Sequence, residues 1–397
     1  MKGHTSMSIT PYLPIYRRTG LRIVRGEGVY LITDTGKRLL DFAAGIAVNA
    51  FGHGHTHLVE ALKKQADILW HCSNQYITPE LERFSERLVA ASFADSVFFS
   101  SSGTEAVEAG IKFMRRFHYE NGEPYRTRII TFEGGFHGRT YGGISAGGNA
   151  YARAGFGQLL TGFDRVPFND SEAVTRAIGK NTAGILLEPI QGEGGIRPFD
   201  VAFLQSIRAL CDAEGILLMC DEVQCGYGRP GSLFAFERAG ITPDIVSSAK
   251  GIGGGFPLGA TLVTERVGEK LPAGSHGSTY GSNPLAMAVG NAVLDLMLAP
   301  DLFPHVNRVG AELLHGLTNL QKRYPALIRD VRGVGLIIGL EPTGDARALA
   351  GAMLAKGLAT SPSVSNVIRL VPPLNITSEH VAHALAIIED TLKEASS

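Results

Sequence analysis

Several signatures are scarce or missing from this 397-residue sequence, and each gap excludes a class of protein. Four cysteines (Cys72, Cys211, Cys220 and Cys225) are too few to staple a chain of this length. They lie in apolar surroundings, where cysteine behaves as a small hydrophobe. Cys220 and Cys225 lack the spacing of a zinc pair and no second pair follows, so a reducing cytoplasm is the simplest expectation. The 37 basic and 38 acidic residues leave a formal net charge of -1, so no field of one sign exists to hold nucleic acid or an anionic membrane. No run approaches the length of a membrane span, and Met1–Thr10 lacks the apolar stretch of a signal peptide. Internal repeats and low-complexity linkers are likewise lacking. What remains is a chain with 44% hydrophobic and 19% charged residues, which calls for a packed globular protein. Its length asks for two domains, or a large one with a smaller partner.

Strand-like apolar runs recur at Ser96–Ser100, Arg128–Phe132, Gly184–Glu188, Gly215–Cys220, Asp244–Ala249 and Ala260–Val263. Helical patterns lie between them, for example Thr104–Tyr119 and Val201–Glu214. This alternation predicts an α/β fold with a largely parallel sheet, whose sites gather at the carboxyl ends of the strands. Beyond about residue 262 the texture changes. Helical patterns at Asn283–Met297 and Asn307–Gln321 precede short strands at Leu336–Leu340 and Val367–Val371 and a final helix, Ser378–Glu394. The expected division is an N-terminal segment, 1–57, with a hairpin around Thr35-Gly36; a large domain, 58–262; and a smaller α+β domain, 263–397, against which the N-terminal segment packs.

Lys250 ends the run Asp244–Ala249 and precedes a glycine-rich stretch, Gly251–Gly255. A lysine buried among small neutral residues is disfavoured as a cation, and its lowered pKa suits Schiff-base chemistry. A lysine capping a loop, with its head in water, is the plainer explanation. Asp221 closes the apolar strand before it and needs a partner there. A protonated pyridine nitrogen fits, and so do loop amides. Ser100-Ser-Ser-Gly-Thr104 opens a helix and offers free N–H groups to a phosphate, though Ser102 and Glu105 also form a capping box. In Gly134-Gly-Phe-His-Gly-Arg-Thr140, Phe136 could stack on a flat ring and Arg139 could fork onto a carboxylate. Glu188 and Arg369 each place a charge in an apolar strand. The alternating His53, His55 and His57 look like a metal site, but a turn with polar surface histidines explains them, and no metal is expected.

The order and spacing of these segments resemble the class III, or ornithine-type, aminotransferases of pyridoxal-phosphate (PLP) fold type I. The carrying motifs are the phosphate turn, Phe136-His-Gly-Arg139, Glu188-Pro-Ile-Gln-Gly-Glu-Gly-Gly195, Asp221-Glu-Val-Gln224, Ala249-Lys-Gly-Ile-Gly-Gly-Gly-Phe-Pro257 and His276-Gly-Ser-Thr-Tyr-Gly281. Within that class the bacterial acetylornithine group is most similar. The resemblance implies an aminotransferase that moves the ω-amino group of N2-acetylornithine to 2-oxoglutarate by a ping-pong mechanism. Ornithine, succinylornithine, 4-aminobutyrate and other ω-amines are alternative donors, and an aminomutase or a PLP-binding regulator would be more distant readings. The implied roles are Lys250 as Schiff-base lysine and proton shuttle, Asp221 on the pyridinium, Gln224 on the ring hydroxyl, Gly103 and Thr104 on the phosphate, and Phe136 stacked on the ring. Arg139 and Arg369 would bind substrate carboxylates, Glu188 would mask Arg369 as a switch, and Tyr16 would close the site. Thr279 would reach the phosphate in a neighbouring subunit, with Ser278 near that subunit's substrate, which makes the enzyme a homodimer. Thr104, Val107 and Ser282 stand where the family commonly has Ala, Asn and Gly.

Overall fold

The computed structural model describes residues 11–396, so the reading of Met1–Thr10 lies outside the described residues. A seven-stranded sheet runs in the order Ser96–Ser100, Gly259–Val263, Ile245–Ser248, Leu217–Asp221, Thr182–Leu187, Arg128–Phe132, Phe163–Val166. Strands 182–187, 217–221, 245–248 and 259–263 are buried along their whole length, because helices cover both faces. Its neighbours pair in parallel except at Gly259–Val263, which runs antiparallel to both adjacent strands. The reason lies in the connection. Residues 249–258 hold only a short 3-10 turn over Lys250–Gly253, and a parallel return needs a crossover of a dozen residues or more.

Helix ends follow local chemistry. In helix Gly103–Glu120, the Ser102 side chain accepts from the Glu105 N–H at 3.3 Å, and Glu105 accepts in return from the Ser101 N–H and the Ser102 hydroxyl. Helix Val201–Glu214 stops at Gly215, whose φ of 64° only glycine adopts without strain. Helix Pro284–Met297 starts with Pro at its first position and Asn283 as cap, and it packs on helices Thr56–Ala66 and Pro79–Ala90.

Two four-stranded sheets and a two-stranded one, Ile190–Gln191 with Arg197–Pro198, complete the frame. Ile23–Glu27, Tyr30–Thr33 and Arg38–Asp41 form an antiparallel meander whose last strand pairs in parallel with Leu358–Ala359. Ile328–Val334, Ile337–Pro342, Ile368–Leu370 and Ser361–Pro362 form the other. The N-terminal hairpin thereby lies against the C-terminal part of the chain. No single helix among the described residues is long and apolar enough to cross a membrane.

Candidate active site

The carboxyl ends of the parallel strands open on a cavity of about 670 Å³. The loops after strands Ser96–Ser100, Arg128–Phe132, Thr182–Leu187, Leu217–Asp221 and Ile245–Ser248 each send a side chain or backbone turn into it. Sequence reasoning brought together Gly103, Thr104, Phe136, Arg139, Glu188, Asp221, Gln224, Lys250 and Tyr16, and all nine line this one cavity.

Lys250 sits at φ 52°, a left-handed conformation imposed at the end of its strand. Burial lowers its pKa to about 8; the charge of Arg369 pushes the same way, against Asp221, Glu188 and Glu193. The neutral amine is therefore closer to reach at physiological pH than in an exposed lysine. Asp221 ends the central strand, 3% exposed. One carboxylate oxygen accepts from the Val223 N–H at 3.1 Å and the other lies 2.9 Å from His137 Nδ1. Burial acts to lower the pKa of His137, but the hydrogen bond and charge of Asp221 outweigh it and hold the imidazole above its ordinary value. Glu188 is buried, which raises its pKa to about 7 against the pull of His137 and the amides of Gly192 and Phe136. Those amides donate to its two oxygens at 3.0 and 2.8 Å.

At the opposite rim, the N-terminus of helix Gly103–Glu120 points its first amides into the cavity beside Ser101 and Ser102. Thr104 Oγ1 and Thr140 Oγ1 lie 3.0 Å apart, and a side chain at Gly138 would meet Thr104 Oγ1 at 2.3 Å. Glycine at 138 therefore lets that loop pack closely on Thr104 at a helix N-terminus, where the dipole favours an anion. Phe136 is half-buried, and the exposed Arg139 lies over its ring at 5.6 Å.

Arg369 corrects one expectation. Its carboxylate partner is Glu193, not Glu188. The same guanidinium also donates to Gln224 at 3.3 Å and to the Ser361 carbonyl and hydroxyl at 3.2 and 2.9 Å. The cause is local geometry. Glu188 ends a buried strand, where backbone amides take both its oxygens, whereas Glu193 rides the glycine-flanked loop that reaches Arg369. His137 and Glu193 were passed over as site residues although both lie inside the motifs quoted; a histidine beside the stacking phenylalanine, and a second glutamate among glycines, were the signals. His53 is no surface histidine either: its Nε2 lies 2.8 Å from Asp41. Ser278 and Thr279 lie away from this cavity, on the loop following residue 272.

The family model "Aminotransferase class-III" matches residues 15–392. The acetylornithine aminotransferase of Agrobacterium fabrum is 52% identical over 96% of this chain and 95% of that protein. Among solved structures, the N-acetylornithine aminotransferase of Stenotrophomonas maltophilia is 36% identical with a TM-score of 0.84, covering 96% of this chain and 97% of that one. A PLP-bound amine transaminase from an uncultivated Pseudomonas species is 31% identical with a TM-score of 0.90, covering 96% and 98%.

Proposed function

The chain belongs to the class-III aminotransferases, PLP-dependent enzymes, and from that membership we propose that it moves the ω-amino group of N2-acetylornithine to 2-oxoglutarate, a step of arginine biosynthesis. The relatives' names supply the donor. The observation that carries the two-substrate chemistry is the closed Arg369–Glu193 pair beside Gln224 on the cavity wall.

The residues fit PLP: a lysine amine whose pKa is lowered, a buried carboxylate with its own histidine, a helix N-terminus and an aromatic ring, all on the wall of one cavity. When bound, PLP supplies an electron sink for the bond broken at the substrate's amine-bearing carbon. The chain does the rest. Lys250 would hold the cofactor through its amine and would move the proton at that carbon. Asp221, steadied by His137, would hold positive charge on the pyridine nitrogen, and Gln224 would meet the ring hydroxyl. Gly103 and Thr104 would take the phosphate, and Phe136 would cover the ring. Glu188 fixes the backbone of Phe136.

Arg369 stays paired with Glu193 while an ω-amine donor occupies the cavity. The pair opens for 2-oxoglutarate, whose carboxylate takes the fork. Arg139 holds the carboxylate at the other end and Tyr16 covers the mouth. The catalytic elements and the gate's Glu193 lie on 58–262, while Arg369 of the gate comes from 263–397 and the lid from 1–57.

Two copies share their sites in this account. Trp70, Tyr76, Ile77 and Tyr280 are all more than 60% exposed, a large apolar patch for a free surface. His71 packs on Tyr280 and Asn74 donates to the Ser278 carbonyl at 2.7 Å, so the patch is continuous with the loop of Ser278 and Thr279. A second copy on this patch brings Thr279 to the partner's phosphate and Ser278 near its substrate. The four free cysteines, three of them buried, suit a cytoplasmic enzyme.

A single-turnover spectral titration of the PLP form with N-acetylornithine, ornithine and 4-aminobutyrate tests the donor. Conversion to the pyridoxamine form should be fastest with N-acetylornithine. Faster conversion by either of the others overturns the donor and leaves the reaction class.

A further inference from the structure

Residues Ala44, Gly45, Ile46 and Ala47 have φ values of 46°, 66°, 66° and 63°, a full turn in the left-handed region. L-residues are disfavoured there because Cβ crowds the following carbonyl, and a β-branched residue such as Ile46 suffers most. Such a turn persists only where its surroundings over-determine it.

What holds it is visible. Asp41, 1% exposed, accepts from the Ala43 and Ala44 N–H groups at 3.0 and 2.8 Å through one oxygen. Its other oxygen lies 2.8 Å from His53 Nε2. His53 is itself pinned by a two-way backbone bridge to Gly28, at 2.7 and 3.0 Å. The turn connects two parts of the site. It leads into Val48, which lines the cavity, and Asn49, whose side chain leaves only 2.9 Å for a Cβ at Gly255 in the glycine stretch after Lys250. At its other end, the Phe42 carbonyl accepts from the Val371 N–H at 2.8 Å, next to the strand of Arg369.

We propose that Asp41 and His53 are positioning residues that clamp this left-handed turn, and that the turn sets substrate fit by placing Val48 and Asn49 between the glycine stretch and the Arg369 strand. The clamp touches neither Lys250 nor the phosphate turn. Its loss should therefore weaken substrate binding without releasing the cofactor. The proposal rests on the aminotransferase reading.

The test compares KM and kcat for the amino donor, with the visible absorbance of bound PLP, in the wild-type holoenzyme and three variants. His53→Ala is preferred to Asp41→Ala because the charge of Asp41 also acts on the buried Arg229. Relaxing the turn is worth about one left-handed residue, so KM should rise about tenfold in His53→Ala, with kcat and absorbance within about twofold. Gly45→Ala should give the same signature by adding a Cβ at φ 66° against Asn49, 3.3 Å away. Adding Ala44→Gly to His53→Ala should return KM most of the way, because glycine takes the left-handed conformation freely. Two results overturn the clamp: an unchanged KM in both single variants, or a double variant no better than His53→Ala. A wild type that transaminates no amine counts against the aminotransferase reading instead.

Discussion

At the scale of single residues, the chemistry follows from where a charge is buried. Glu222, beside Asp221, is 1% exposed and accepts from the Ala235 and Phe236 amides, both at 2.9 Å. Burial raises its pKa to about 7 despite those bonds. The sign is the reverse of the usual carboxylate case. Between pH 4.5 and about 7 the folded state keeps a proton that the unfolded chain has lost, so this group's contribution to stability falls as pH rises through that window. Glu222→Gln loses an acceptor at every pH but never carries the charge. Its disadvantage in urea unfolding should therefore shrink by up to about 3 kcal/mol between pH 5 and pH 8. A disadvantage that is constant or grows with pH contradicts the assignment. Much at this scale was legible in the sequence. Lys250 ends an apolar run before glycines, which announced both its burial and its lowered pKa. Ser282 stands where the resembled family has Gly, and its φ of 63° shows what that glycine serves. The partner of Arg369 was not legible, because two glutamates sit five residues apart in one motif and only the fold decides which one faces it.

At the scale of elements, strands and helices were read well where apolar runs meet hard stops. Ser96–Ser100, Arg128–Phe132 and Val201–Glu214 appear with the expected ends. The direction of Gly259–Val263 was invisible, since a fully buried strand has the same apolar run whichever way it points. Strand Ile328–Val334 was missed: it mixes charged and glycine residues among its apolar ones, and with only Ile328 buried it carries no alternation strong enough to read. Close approach between elements was also unreadable. A Cβ at Gly184 would lie 2.3 Å from the Leu217 carbonyl oxygen and 2.7 Å from Met114 Sδ, so glycine lets the two central strands and helix Gly103–Glu120 meet. Gly184→Ala should cost about 2 kcal/mol or more, read as a lowered urea midpoint. A change within about 0.5 kcal/mol means the strands can separate without penalty.

At the scale of the whole molecule, the cavity is an assembly of distant parts. Tyr16 and Val48 come from the N-terminal segment and most other lining residues from the loops of the seven-stranded sheet, while Arg369, which donates to the lining residue Gln224, comes from a C-terminal strand. In the proposed mechanism this juxtaposition lets one enzyme serve two unlike substrates, one of which needs Arg369 free and one of which does not. The most direct test measures the two half-reactions of Arg369→Ala separately, by single-turnover spectroscopy. Reaction of the pyridoxamine form with 2-oxoglutarate should slow about a hundredfold or more, on the scale of a lost charge-assisted pair. Reaction of the PLP form with N-acetylornithine should change by less than about tenfold. Equal loss in both halves would contradict the gate and, with it, the account of how the site accepts both substrates.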